Sequence, residues 1–228
     1  MITIIHGDDI AKSREKFIAD KNNSASQASF DKDLSLLDLI QITEGGSLFT
    51  EYKDIFIENF LSNKKTSSEF KDIVTHIEEK SKKFNFVFWE NKQLEKSTLS
   101  IFKNATAQLF NLPQSLFSFL DQIKPNCLDN LLHFHLALKN SSEDIIFYML
   151  IRQFRLLIAV SDNNSRSIDE VKRLAPWQRS KLEKQAKLFD KDHLLFVYNQ
   201  LYDIDIAQKS GTLGKSLIQA IDFLLSKI

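Results

Sequence analysis

The tightest constraint on this chain is its shortage of backbone punctuation, with five glycines and three prolines in 228 residues. Glycine-rich phosphate loops and the frequent tight turns of β-sandwiches both consume glycine, so helix should dominate. Nineteen phenylalanines, against four tyrosines and two tryptophans, supply most of the aromatic core volume. Basic and acidic residues balance at 30 each, with a pI near 7.0, which argues against a partner recruited by bulk charge, whether nucleic acid or a membrane surface. The lone Cys127 excludes an internal disulfide framework. No apolar run is longer than Ile145 to Ile151, and the start lacks a signal-peptide pattern, so the expected protein is cytoplasmic and makes no membrane contact.

Through the first half, short apolar bursts alternate with amphipathic stretches. Ile2 to Ile5, Gln27 to Phe30, Asp54 to Glu58, Phe84 to Trp89 and Thr106 to Phe110 read as strands. Between them, Ile10 to Ala19, Leu34 to Ile42, Ser68 to Lys82 and a segment near Leu94 to Phe102 read as helices. Strands separated by helices imply a largely parallel sheet covered by helices. From Pro113 onward every apolar spacing is helical. Breaks fall at Pro125, Asp162 to Arg166, Pro176 and Asp190 or Asp192, a capping box is expected at Ser167 with Glu170, and Gly211 with Thr212 should stop one helix and cap the last. The expected organisation is an α/β domain over residues 1–110 and an all-α bundle over residues 111–228.

Most motifs that suggest chemistry fail on detail. Gly7-Asp8-Asp9-Ile10-Ala11-Lys12-Ser13 lies where a P-loop would lie, but its spacing is one residue short, Ala11 replaces the second glycine, and two carboxylates would face the phosphates. Asp8 or Asp9 is expected instead to cap the helix. Gly211 to Ser216 ends in a GKS string but has no preceding strand. Glu58 and Glu90 each end a strand and read as caps. His133 and His135 lie on different sides of a helix, and Cys127 has no partner at nucleophile spacing, so no catalytic, cofactor or metal residue is assigned. Residues 166–191 carry eight basic against four acidic side chains. This face, Arg166 to Lys191, offers DNA binding as an alternative function, although Leu174, Trp177, Leu182, Ala186 and Leu188 are expected to turn into a core. One feature resists a purely structural reading: adjacent Leu48 and Phe49 follow a Gly pair in the connection between a helix and the DIFIE strand.

The order of these pieces resembles the delta subunit of bacterial DNA polymerase III, a clamp-loader subunit. The strings that carry the resemblance are ITIIHGDD, SLFTEYKDIFIEN, FVFWENKQLEK, IFYMLIRQFRLLIAV, and LAPWQRSKLEKQAKLF followed by DIDIAQKSG. The resemblance implies an AAA+-like α/β domain without a working P-loop, then a collar-like bundle. It also implies a noncatalytic accessory role in DNA replication, with Leu48 and Phe49 as the pair that binds the sliding clamp. Other loader subunits would contact the bundle, and primer-template DNA only indirectly or weakly. The family usually inserts a small helical lid between the two parts, and here only Lys103 to Asn111 lies there.

Overall fold

The computed structural model describes residues 1–45, 54–63, 67–162 and 168–228. The chain divides into two compact units, Met1–Leu112 and Pro113–Ile228.

In the first unit the strands are β1 (Ile2–His6), β2 (Gln27–Phe30), β3 (Asp54–Glu58), β4 (Asn85–Glu90) and β5 (Ala105–Leu109). They form one sheet of order β2-β3-β4-β1-β5 in which every pairing is parallel. Helices α1 (Ile10–Asn22), α2 (Leu36–Glu44), α3 (Ser68–Lys80) and the short α4 (Lys96–Leu99) connect them, with a 3-10 turn at Leu61–Asn63. Only these four residues of the expected Leu94 to Phe102 stretch are α-helical. Side chains alternate across the sheet, as a period of two requires. Ile2, Ile4, Ile55, Ile57, Phe86 and Phe88 pack with Leu39 of α2 and Ile73 and Ile77 of α3, whereas Ile5, Phe56 and Trp89 pack on Phe17 of α1. All five residues of β1 are buried, which explains its near-continuous apolar run. The edge strand β5, ATAQL, has no buried residue and is the least covered strand of the sheet.

The second unit contains α5 (Gln114–Gln122), α6 (Asp129–Leu138), α7 (Glu143–Ser161), α8 (Asp169–Lys172), α9 (Pro176–Ala186), α10 (Lys191–Lys209) and α11 (Leu217–Leu225). Helix α7 is its axis, touching α5, α6, α8, α9, α10 and α11. A helix with neighbours on so many sides must be apolar around most of its circumference. Ile146, Phe147, Met149, Leu150, Phe154, Leu156 and Leu157 are accordingly all buried. The polar exception is Gln153, whose Nε2 donates to Gln185 Oε1 of α9 at 2.7 Å. Gln185 Nε2 in turn donates to the carbonyls of Leu120 and Ile123 at 2.8 and 2.9 Å, satisfying the C-terminal end of α5.

Two expectations about the bundle need correction, and a third falls outside the described residues. The last helix is capped by Ser216, not Thr212. Ser216 Oγ accepts from the Gln219 N–H and Gln219 Oε1 from the Ser216 N–H, while Gly211 and Gly214 take up the positive-φ turns ahead of it. Ser167 lies outside the described residues, and its expected box partner Glu170 is held by both Arg152 and Arg155 of α7. Trp177 and Leu188 do not enter the core; they are 68% and 56% exposed.

Candidate functional site

In an open parallel sheet, ligands bind where the connections from neighbouring strands leave on opposite faces. Here β1 leads into α1 on one face and β4 into α4 on the other, so the crevice falls at the carboxyl ends of β1 and β4. That is where Gly7 to Ser13 lies.

The local geometry follows from one close approach. Gly7 has φ +144°, and a Cβ on it would lie 1.9 Å from the Phe110 carbonyl oxygen. Only glycine allows that contact. The Asp9 N–H donates to the same carbonyl at 3.0 Å and the Phe110 N–H to His6 O at 2.8 Å, so the turn is stapled to the end of β5. Asp9 is almost fully buried and caps α1, its Oδ1 accepting from the Lys12 N–H at 3.1 Å. This selects Asp9 from the pair expected to cap the helix. A carboxylate therefore stands at the helix N-terminus, where a phosphate would need free N–H groups.

The groups around it are also engaged. Ser13 Oγ accepts from Trp89 Nε1 at 3.2 Å and donates to Ile10 O at 3.1 Å. Glu58, at the end of β3, forms an ion pair with Arg14 and caps no helix among the described residues. The Arg14 guanidinium lies 4.5 Å from the Trp89 ring centroid and 5.4 Å from that of Phe17. Glu90, at the end of β4, is fully buried and accepts from the N–H groups of Leu61 and Ser62 at 2.7 and 2.9 Å, holding the 3-10 turn after β3. Burial pushes its carboxyl above the usual range, against the opposing hydrogen bonds from Ser62 and Leu61. His6 faces Glu90 across the β1–β4 pairing. Its Nδ1 accepts from the Leu94 N–H at 3.1 Å, and burial depresses its basicity despite nearby Asp8.

Elsewhere, His135 pairs with Asp222 at 3.0 Å on the surface of the second unit, and among the described residues no group of three His, Cys, Asp or Glu side chains could hold a metal ion. In the basic stretch, Lys172 pairs with Asp169, Arg179 with Glu183, Lys181 with Asp121 and Lys191 with Asp162. Arg166 lies outside the described residues, as do Leu48 and Phe49; the segment holding that pair, residues 46–53, joins α2 to β3. Sequence reasoning missed the Arg14–Glu58–Trp89 cluster and the Gln153–Gln185 pair, since both join residues far apart in the chain.

A family model described as the DNA polymerase III delta subunit, C-terminal domain, matches residues 113–227. The chain belongs to the DNA polymerase III delta subunit family. The match spans α5 to α11 of this delta-family chain, the unit organised on α7 and the Gln153–Gln185 pair. Among solved structures, the Bacillus subtilis DNA clamp loader delta protein YqeN aligns at 14% identity and a TM-score of 0.46, covering 98% of this chain and 94% of that one. No curated protein matches at a significant level. Among the described residues, no helix is long and apolar enough to cross a membrane.

Proposed function

We propose that this chain is a noncatalytic clamp-loader subunit of the DNA polymerase III holoenzyme, acting in the cytoplasm to bind and open the sliding clamp. The observation that carries the reading is the family match over the whole helical unit, residues 113–227. In this reading the first unit is an AAA+-like domain, the second unit is the collar through which the chain meets the other loader subunits, and Leu48 with Phe49 enters a pocket on the clamp. A small apolar plug of this kind is an ordinary hot-spot design. A noncatalytic role is supported by the β1–α1 turn, where the Asp9 carboxylate takes the place of a phosphate and the Ser13 hydroxyl is engaged by Trp89.

The test is the double variant Leu48→Ala with Phe49→Ala, with clamp affinity and melting temperature read on the same sample. Burying such side chains is worth roughly 1.5–3 kcal/mol each, so their joint loss should remove about 2–5 kcal/mol of binding, or about 30-fold to several thousand-fold in affinity. Stability should stay within about 0.5 kcal/mol of the parent. Unchanged clamp binding, or a fall in stability of several kcal/mol, overturns the plug assignment.

A further inference from the structure

The two edges of the sheet are protected unequally. At one edge, β2 is four residues long and runs straight into Asp31, Lys32 and Asp33, charges that discourage a further strand from pairing there. At the other, β5 reads ATAQL and carries no proline, glycine or lysine. No charged residue occurs between Lys103 and Asp121.

The register fixes which backbone groups of β5 are engaged. In a parallel ladder, alternate residues turn both N–H and C=O toward the same neighbouring strand. The Phe110 N–H donates to His6 O, and β5 pairs with β1 from Ala105 opposite Ile2 to Leu109 opposite His6, so Thr106, Gln108 and Phe110 face β1. Ala105, Ala107 and Leu109 therefore turn their backbone groups outward, and no described residue bonds them. Thr106, Ala107 and Leu109 are also exposed.

We infer that β5 is a self-association edge, pairing antiparallel with β5 of a second copy of this chain about a two-fold axis at Ala107. The outward groups select that occupant because they are symmetric about Ala107. Ala107 then faces the partner's Ala107, and Ala105 faces the partner's Leu109, each facing pair exchanging two N–H···O bonds for a total of about six. The side chains agree. On one face the half-exposed Leu109 lies opposite the small Ala105 of the other copy, on the other face Thr106 lies opposite Gln108, and an uncharged strand brings no like charges together. A ladder this short falls below the roughly 800 Å² per partner of a standard interface, so the dimer should be weak, with a dissociation constant of about 10 µM to 1 mM. The pairing uses neither Leu48 nor Phe49, and its test is separate from that of the clamp reading.

Sedimentation equilibrium of the full-length chain, taken from a few micromolar to about 1 mM, should show the average mass rising from 26.4 kDa toward twice that value. Ala107→Pro removes an outward N–H but no bond to β1, an orientation in which an edge strand tolerates proline. It deletes one bond per copy and should weaken self-association by about 10- to 100-fold. Leu109→Lys supplies the missing edge charge without touching the backbone and should also weaken it, so the test stands even if the proline variant folds poorly. Amide exchange read by NMR gives an independent signature: as concentration rises, the Ala107 and Leu109 amides should gain protection, while Thr106 and Gln108 stay protected throughout. A mass of 26.4 kDa at every concentration overturns the inference, as does protection that rises evenly along β5. A dimer that survives both substitutions also overturns it, since the contact then lies elsewhere on the chain.

Discussion

Replacing Gln185 by leucine keeps the volume and apolar contacts of the side chain but removes every hydrogen bond it makes. Three buried groups then lose their partner: the Leu120 and Ile123 carbonyls at the end of α5, and Gln153 Nε2 of α7. Each orphaned group costs about 1–3 kcal/mol, and partial relaxation around a 6%-exposed site brings the expected total to about 3–5 kcal/mol. The loss should be local. Hydrogen exchange read by mass spectrometry on the full chain should show α5, α7 and α9 amides losing protection, while β1 and β4 amides keep theirs. Gln153→Leu added to Gln185→Leu removes one of the three orphans, so the double variant should be less destabilised than the sum of the singles by about 1–2 kcal/mol. Strict additivity, or a Gln185→Leu variant within about 0.5 kcal/mol of the parent in urea denaturation, would show that the pair is incidental to the bundle.

Two further outcomes concern the first unit. Gly7→Ala forces a Cβ into the Phe110 carbonyl 1.9 Å away and into a φ that L-residues rarely adopt, so it should destabilise the sheet by about 3 kcal/mol or more, and a melting temperature equal to the parent's would refute the close approach. Glu90 holds its proton more tightly when folded than when unfolded, so the stability it contributes falls as pH rises from the ordinary value of 4.5 through the raised one. Glu90→Gln, uncharged throughout, should flatten that limb in melts at stepped pH, and profiles running parallel would show that burial does not control this carboxyl.

The strands were readable because sheet burial writes itself into the residues: DIFIE coincides with β3, and ITII sits inside a strand buried on both faces. The caps were harder. Ser216 with Gln219 is a capping box in plain sight, but the Gly211-Thr212 pair upstream offered a competing signal, and the positive φ of Gly214 that carries the chain onward has no mark in the sequence beyond the glycine itself. The chemistry of Trp177 points to the core, although its nine-residue offset from Ala186 places it on the opposite face of the helix. Glu90 and Gln185 are buried polar residues whose partners lie 28 or more residues away, so hydropathy and spacing carry no trace of them. Leu48 and Phe49, the pair proposed to meet the clamp, rest on resemblance and on their place between a helix and the DIFIE strand, and they lie outside the described residues.

The β1–α1 turn also bears on which sequences are reachable from this one. Making a phosphate cradle here would take several substitutions, and the first steps run downhill in stability. Removing the Asp9 carboxylate uncaps α1, at about 1 kcal/mol. A glycine at Ala11, inside the helix, costs about as much again. Turning Ser13 outward strands the Trp89 N–H, and freeing Glu58 leaves Arg14 without its carboxylate. No single one of these changes yields a site that holds phosphate, so selection for nucleotide binding has nothing to act on until most are in place. The turn sits in a mutational valley whose walls are the hydrogen bonds that now make it rigid.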